Sequence, residues 1–383
     1  MALTTLPTAA FASGSVGTAQ LADGAVTTEK MKADVSFRNL IINGDMSISQ
    51  RGTSQSGVNV SAYGQWCDRW NYNASSGGTW TISQSTDVPS GQGFASSLKM
   101  DCTTANASLG ADNYSSMRTK LEAQFLQHLK YGTANAEALT LSFWVKSNKT
   151  GTYVIWFYNE DGVKSFSASY TISASSTWEK KTVSVPANTV GTITNNNEEG
   201  LRIYFMLAAG TNWTSGTLPS DWETDTKANR AVGQVNLADN TSNEWFLTGV
   251  QLEVGTSASD FEFLPYDINR TRCLRYYEKL EFTSSYDTMF PAWVRNGSDM
   301  GAVWQYETIK RANPTIGLSA DNTYRLNTAT GDHTCQSAGS SNTTKTRTQL
   351  GFAKSAAFTS GQAGYINMEN GNGNAYFTAD AEL

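Results

Sequence analysis

Short apolar runs, rich in β-branched and aromatic side chains, recur along residues 37–266. Polar segments containing Asn, Asp and Gly separate them, as at residues 159–162 and 210–212. Runs of this composition are typical of β-strands, and the residues between them favour turns. About eight to ten such strands predict a two-sheet β-sandwich or jelly roll. The runs are residues 40–42, 80–82, 139–145, 152–158, 166–170, 178–185, 201–207 and 245–252.

Two segments depart from the strand pattern and have helical spacing. Residues 121–130 place Leu121, Phe125 and Leu129 at positions i, i+4 and i+8, which share one face of a short α-helix. Residues 267–280 predict a second helix. We assign residues 267–282 to a short helical hinge between two β domains. The arginines of this segment predict either a solvated face or a contact with a neighbouring chain.

The last hundred residues are also β-like, but long polar stretches interrupt the pattern. We assign residues 283–383 to a C-terminal β tip domain. A single chain would bury its polar stretches poorly, so we expect partner chains to complete its core and its loops to be exposed. The predicted strands are residues 302–309, 348–352 and 375–378, and the polar stretches are residues 337–348 and 369–374.

A ten-residue repeat occupies part of the first 36 residues. Residues 14–21 (GSVGTAQL) align with residues 24–31 (GAVTTEKM). Each copy has too few apolar groups to bury within one chain, so residues 1–36 are either a flexible linker or an intertwined stalk of identical chains that also serves as an attachment peg. In the stalk interpretation the residues facing the common axis are Val16, Leu21, Val26 and Met31.

The composition excludes several functional classes. Among 383 residues only 16% are charged, the net charge is −6, and 11% are aromatic. A disordered protein has few aromatics and high net charge, and nucleic-acid binding requires a positive field. The longest apolar run, residues 203–209, is far shorter than the roughly 20 residues that span a bilayer. Residues 1–13 lack the regions of a secretory signal. We therefore expect no nucleic-acid partner and no membrane insertion.

Metal and cofactor chemistry has no motif in this chain. The cysteines are scattered without a CxxC pair, and there are only two histidines. A zinc site or a disulfide scaffold is therefore not expected, and we predict no metal, no cofactor and buried free thiols. Asp45 is a weak candidate for calcium, without the spacing of a known calcium loop. The cysteines are Cys67, Cys102, Cys273 and Cys335.

The sequence also contains no clear catalytic motif. A glycosidase needs two carboxyl groups about 5–9.5 Å apart in a groove. The candidate pairs are Asp260 with Glu262 and Glu198 with Glu199, and neither differs from a solvated strand face. His128 and His333 have no nucleophile motif beside them. We expect that the chain is not an enzyme.

Sugar binding is the positive chemical possibility. A saccharide has an apolar C–H face and a rim of hydroxyl groups, so its site needs an exposed aromatic ring beside polar side chains. Several aromatics lie in or beside polar, loop-like segments, where each is a sugar contact, a core plug or a loop anchor. These candidate receptor-binding residues are Trp213, Trp222, Trp293, Trp304 and Tyr324.

Several motifs together resemble a domain of bacteriophage tail fibres and minor structural proteins of the virion. The resemblance is strongest over residues 37–280, weaker in the tip, and covers nearly the whole chain. The repeat LADGAV at residues 21–26 is similar to the stalk repeats of these proteins. The motifs are FRNLIINGDM at 37–46, QRG at 50–52, DRW at 68–70, LSFWVK at 141–146, FLTGVQLEVG at 246–255, FEF at 261–263, PY at 265–266, CLRYYEK at 273–279 and FTADAEL at 377–383.

The resemblance implies a homotrimeric virion fibre. Residues 1–36 would dock on a tail adaptor or hub protein, residues 37–266 would form a carbohydrate-binding-module-like jelly roll, and the tip would contact a host surface glycan. The protein would be made in the host cytoplasm and reside in the viral tail. Two alternatives stay open: a head or baseplate decoration without a receptor role and, with less support, a glycan depolymerase.

Overall fold

A computed structural model describes residues 37–355, 358–371 and 374–383. Its first half is a sandwich of two six-stranded antiparallel sheets, with strand orders β1-β3-β4-β12-β6-β9 and β11-β8-β7-β10-β5-β2. The predicted all-β jelly roll is therefore confirmed, although residues 40–42 form no strand. The strands are β1 Ser54–Val58, β2 Asn71–Ser75, β3 Thr79–Ser85, β4 Ser97–Thr104, β5 Tyr114–Glu122, β6 Leu139–Ser147, β7 Gly151–Asn159, β8 Lys164–Ile172, β9 Glu179–Val185, β10 Glu199–Ala209, β11 Glu223–Thr224 and β12 Glu244–Val254.

Aromatic side chains fill the space between the two sheets. The Phe205 ring lies 5.9 Å from Trp70, 5.2 Å from Phe143 and 6.1 Å from Trp245, measured between ring centroids. All four rings are fully buried. Large aromatics bury about 150–250 Å² each, so they supply much of the apolar area in a chain with a modest hydrophobic content.

The two predicted helices are shorter than expected. Residues Ala123–Leu129 form a 3₁₀-helix after β5, with Ala123, Leu126 and Leu129 buried. These residues are three apart because a 3₁₀-helix has three residues per turn, so Phe125 is half exposed instead of lying with Leu129. The predicted hinge helix ends at Leu274, and residues 277–282 are a strand. The α-helices are α1 Thr211–Thr214 and α2 Tyr266–Leu274.

The C-terminal part contains a seven-stranded sheet, β18-β17-β21-β14-β15-β20-β19, and a three-stranded sheet, β13-β22-β16. One chain encloses the core between them, a difference from the expectation that partner chains complete it. Phe377 is central, with Phe290, Tyr324 and Phe352 around its ring. The strands are β13 Tyr277–Phe282, β14 Thr288–Asn296, β15 Asp299–Gln305, β16 Thr315–Leu318, β17 Tyr324–Thr328, β18 Gly331–Thr334, β19 Ser337–Ser341, β20 Arg347–Ala353, β21 Ala363–Met368 and β22 Ala375–Asp380.

Residues 381–383 leave β22 and contact the jelly roll. Glu382 forms an ion pair with Arg69, whose side chain is 1% exposed, and another with Arg51. The Arg69 guanidinium also lies 3.5 Å from the ring centroid of Tyr276 and donates a hydrogen bond to the backbone oxygen of Lys120 at 2.7 Å. Residues 381–383 are thus held to the sandwich by a buried charge pair.

A second buried network joins α2 to both parts. Arg275 donates two hydrogen bonds to Glu122 at the end of β5, and the Tyr276 hydroxyl donates a third. Nearby, the buried Lys310 ammonium pairs with Glu278 and donates to the backbone oxygen of Leu274. The arginine-rich hinge segment therefore makes specific contacts within its own chain.

The remaining structural expectations have mixed outcomes. All four cysteines are buried and free, as predicted, and burial raises the pKa of the Cys335 thiol to about 11. Within the described ranges, no helix has the length and apolar character needed to cross a bilayer. The proposed stalk positions lie outside the described residues and stay a prediction. They are Val16, Leu21, Val26 and Met31.

Candidate functional site

Two of the five candidate aromatics anchor loops of the jelly roll. Trp213 in α1 is 6% exposed, and its indole N–H donates to the backbone oxygen of Asp112 at 3.2 Å. Trp222 is also 6% exposed, and its indole N–H donates to the backbone oxygen of Pro186 at 2.8 Å. In this conformation neither ring offers a free face to a ligand.

Two further candidates belong to the core of the C-terminal part. Trp304 is 3% exposed, and its ring centroid lies 6.1 Å from that of Phe377. Tyr324 is fully buried, its hydroxyl donates to the backbone oxygen of Tyr376, and burial raises its pKa to about 12. The expectation of exposed rings is therefore corrected for four of the five candidates, and their role in receptor binding stays a prediction.

Trp293 is the candidate whose ring faces solvent. It is 40% exposed and lies in β14, directly opposite Gly301 in β15. A Cβ atom built at Gly301 would lie 2.8 Å from Cζ2 of the indole and 2.9 Å from Cε2. The indole therefore rests against the backbone of Gly301, which only a residue without a side chain permits.

A row of glycines continues across the sheet from Trp293. Gly301 pairs with Gly351 in β20, and Gly351 pairs with Gly339 in β19. The Arg295 side chain covers Gly351, since a Cβ there would lie 2.4 Å from its Nη2 atom. Gly339 has nothing within 4 Å of such a Cβ. Beside the indole, the sheet therefore has no side chain of its own at these three positions.

Three exposed apolar residues near Trp293 extend this surface. Pro291 lies two residues before Trp293 in β14 and pairs with Tyr365 in β21. Tyr365 is 45% exposed, and Val303, two residues after Gly301 in β15, is 39% exposed. Side chains two apart on a strand share a face. We call the surface formed by Pro291, Trp293, Val303 and Tyr365 the Trp293 face.

Hydrogen-bonding side chains surround the Trp293 face. Arg295 and Asp299 form a two-contact ion pair, with Nη2–Oδ1 at 3.0 Å and Nε–Oδ2 at 2.7 Å. Gln349 lies opposite Val303, and its Oε1 accepts from Asn342 at 2.8 Å. Asn327 lies opposite Tyr365. An aromatic platform with amide, guanidinium and carboxylate groups at its edge has the chemistry that a saccharide requires.

The sequence interpretation missed Tyr365 and the glycine row. It placed no strand at residues 363–368, where β21 begins with two small residues. The apolar–polar alternation of this segment was the available signal, because it places Tyr365 on the face opposite buried Ile366. The alignment of Gly301, Gly351 and Gly339 depends on the strand order and carries no sequence signal.

The carboxylates proposed as catalytic pairs have partners elsewhere in the protein. Glu262 accepts hydrogen bonds from the backbone N–H groups of Phe37 and Asn39. Glu199 pairs with Lys120 and Arg202, and these cations help to hold its pKa below the ordinary value against the opposing effect of burial.

The structure also shows the surroundings of the residues considered for metal binding or nucleophile chemistry. Asp45 accepts from Asn269 at 3.0 Å, and no group of three or more potential metal ligands occurs among the residues with described positions. His128 is exposed on the 3₁₀-helix. His333 is in β18 instead of a loop, and its ring centroid lies 5.8 Å from that of Phe358.

Gly301→Ala is expected to displace the indole of Trp293, because the new methyl group would overlap the ring. We expect the free energy of unfolding to fall by about 1–3 kcal/mol, the usual cost of overpacking, and tryptophan fluorescence to shift. Gly339→Ala, in the same row with open space, is the matched control. Urea unfolding of both variants measures the difference, and equal curves would show that Trp293 does not rest on Gly301.

No family model matches the chain, and no curated protein matches it. Solved structures that the comparison matches to this chain include the enzymatically active domain of tailspike protein 4 of bacteriophage CBA120, at 12% identity and a TM-score of 0.30 over 58% of this chain. The match spans 22% of the tailspike chain.

Carbohydrate-binding modules are also among the structural neighbours. TmCBM61, solved in complex with β-1,4-galactotriose, has 10% identity and a TM-score of 0.29 over 57% of this chain and 99% of the module. A family 11 module from a Clostridium thermocellum cellulase has 16% identity and a TM-score of 0.25 over 52% and 99%. At these values the likeness carries no argument about what this chain binds. Its own sheets define it as an all-β protein with a jelly-roll sandwich.

Proposed function

We propose that this protein is a bacteriophage tail fibre that attaches to host surface glycans through the Trp293 face. The observation that carries the proposal is the indole of Trp293, which packs against Gly301 and still leaves 40% of the side chain exposed. Burying such a ring against the C–H face of a sugar gains apolar contact, while the surrounding polar groups bind hydroxyls.

The assignment to a virion fibre rests on the sequence motifs of residues 37–280 and on an architecture built from antiparallel β-sheets. In this proposal the fibre is a homotrimer, residues 1–36 dock on a tail adaptor or hub protein, and the C-terminal part faces the host. The chain acts as a structural and adhesive component and not as an enzyme.

Multivalency explains why a shallow platform is sufficient. A single site with a millimolar Kd contributes only about −4 kcal/mol. Three copies in a fibre, and several fibres on a particle, tighten binding by roughly 10²–10⁴ without any new contact. A fibre therefore needs repeated and exposed sites that can each be weak, and the Trp293 face is exposed.

Glycan-array binding by the purified full chain tests the proposal. We expect a restricted set of surface glycans to bind, and antibodies against the chain to label the tail and block adsorption. Labelling of the head without inhibition of adsorption would support a decoration protein instead. Release of reducing ends from host polysaccharide would overturn the non-enzymatic assignment.

A further inference from the structure

A cavity of about 900 Å³ opens where the jelly roll meets the hinge helix. Its walls come from residues 37–42, the end of β5 with the following 3₁₀-helix, the loop at residues 254–259, and α2 with the residues after it. The cavity lies in a different part of the chain from the Trp293 face, and the glycan-binding proposal does not use it.

Three large apolar side chains line the cavity and are exposed. Phe37 is 58% exposed, Phe125 is 50% exposed and Val254 is 42% exposed. Phe125 lies beside buried Leu126, and the Arg275 guanidinium lies 5.4 Å from its ring centroid. Clustered apolar side chains at a concave surface mark a site that another molecule covers.

Most charged groups of the cavity wall have partners inside the chain, and an exception among the described residues is Nη1 of Arg272, which is buried without a hydrogen-bond partner. Arg275 is bound to Glu122, Lys120 to Glu199, and Glu253 to Ser259. With Phe37, Phe125 and Val254 exposed side by side, this wall fits the apolar surface of a protein.

The first described residue, Phe37, lies at the rim of the cavity. The Phe37 backbone N–H is fixed by Glu262 at 2.5 Å, so the preceding residues join the chain at the cavity rim. Met31 is six residues before Phe37. Six residues span at most about 20 Å when fully extended. In the proposed homotrimer, the neighbouring copies of this chain therefore start close to this cavity.

We propose that a second copy of this chain covers the cavity around Phe37, Phe125 and Val254, and that this surface is an interface between protomers. The inference rests on the proposed homotrimer. It explains why these apolar side chains are exposed in a single chain whose other large aromatics are mostly buried. Packing of the neighbouring protomer would exclude water from all three.

Phe125→Asp in the full chain tests the interface, because a carboxylate would have to lose its water when the protomers meet. Truncating one of the few hot-spot residues at the centre of an interface weakens association more than tenfold. We expect sedimentation equilibrium to show at least a tenfold rise in the concentration at which the trimer dissociates. Val60→Asp is the matched control, since Val60 is 66% exposed and lies outside the cavity wall. Thermal melting of both variants checks that they fold.

The outcomes separate this inference from the proposed function. A parent chain that sediments as a monomer would overturn the trimer itself, and with it the interface. A trimeric parent with a Phe125→Asp variant that dissociates at the same concentration as Val60→Asp would overturn only the interface. Hydrogen exchange on the parent gives an independent measurement. We expect slower exchange at residues 123–129 and 254–259 in the trimer than in diluted protomers, and equal exchange would contradict the proposal.

Discussion

Glu382→Gln is expected to lower the free energy of unfolding by about 3–5 kcal/mol, the usual cost of leaving one partner of a buried ion pair alone. The Arg69 side chain is 1% exposed and the Glu382 side chain is 5% exposed. Without the carboxylate, the Arg69 guanidinium would keep only the Lys120 carbonyl and the face of Tyr276. These neutral contacts do not offset the loss of hydration of a full charge.

Glu198→Gln is the matched control. Glu198 of the jelly roll pairs with Arg311 of the C-terminal part, so this ion pair also joins the two parts, but the Glu198 side chain is 66% exposed. Exposed ion pairs contribute about 0–1 kcal/mol, so this variant should unfold nearly as the parent does. Urea unfolding followed by circular dichroism compares the three proteins. Equal midpoints for the two variants would mean that the contact between residues 381–383 and the jelly roll adds little to stability.

Trp293→Ala is expected to reduce the apparent affinity of the fibre for glycan-coated surfaces by about 10²–10⁴, because all copies lose their platform together and avidity is lost with them. The substitution removes an exposed ring, so the stability of the fold should change little. Surface plasmon resonance on immobilised host glycans measures the effect, and adsorption of particles carrying the variant gives the biological readout.

The control for Trp293→Ala is Phe263→Ala. Phe263 is 50% exposed but belongs to the jelly roll, where its ring lies 5.0 Å from that of Phe94. We expect this variant to bind glycans as the parent does. If Trp293→Ala also binds like the parent, the Trp293 face is not the attachment site and the glycan-binding part of the proposal is wrong.

Most strands of the jelly roll were predictable from the sequence. Segments such as residues 139–145 and 201–207 consist almost entirely of strand-forming residues, and they lie within β6 and β10. Their side chains fill the sandwich on one face, so the local pattern and the tertiary packing agree. The end of the hinge helix was not predictable in this way. Residues 277–282 have apolar spacing compatible with a helix, but pairing with β22 makes them a strand.

The candidate site illustrates the limit of sequence interpretation. Trp213, Trp222 and Trp293 all lie in or beside polar segments, and their local sequences do not distinguish an anchor from a platform. The difference comes from distant residues. The Asp112 carbonyl binds the indole of Trp213 and the Pro186 carbonyl binds that of Trp222.

The sequence alone determined that this protein is built from β-strands with a core of aromatic rings, because strand propensity and alternation are properties of neighbouring residues. Only the tertiary structure decided which rings remain exposed and which charges are paired. Strand order and register place Trp293 against Gly301, and chain folding brings Glu382 to Arg69 from 313 positions away. Contacts between such distant residues depend on the closed fold as a whole.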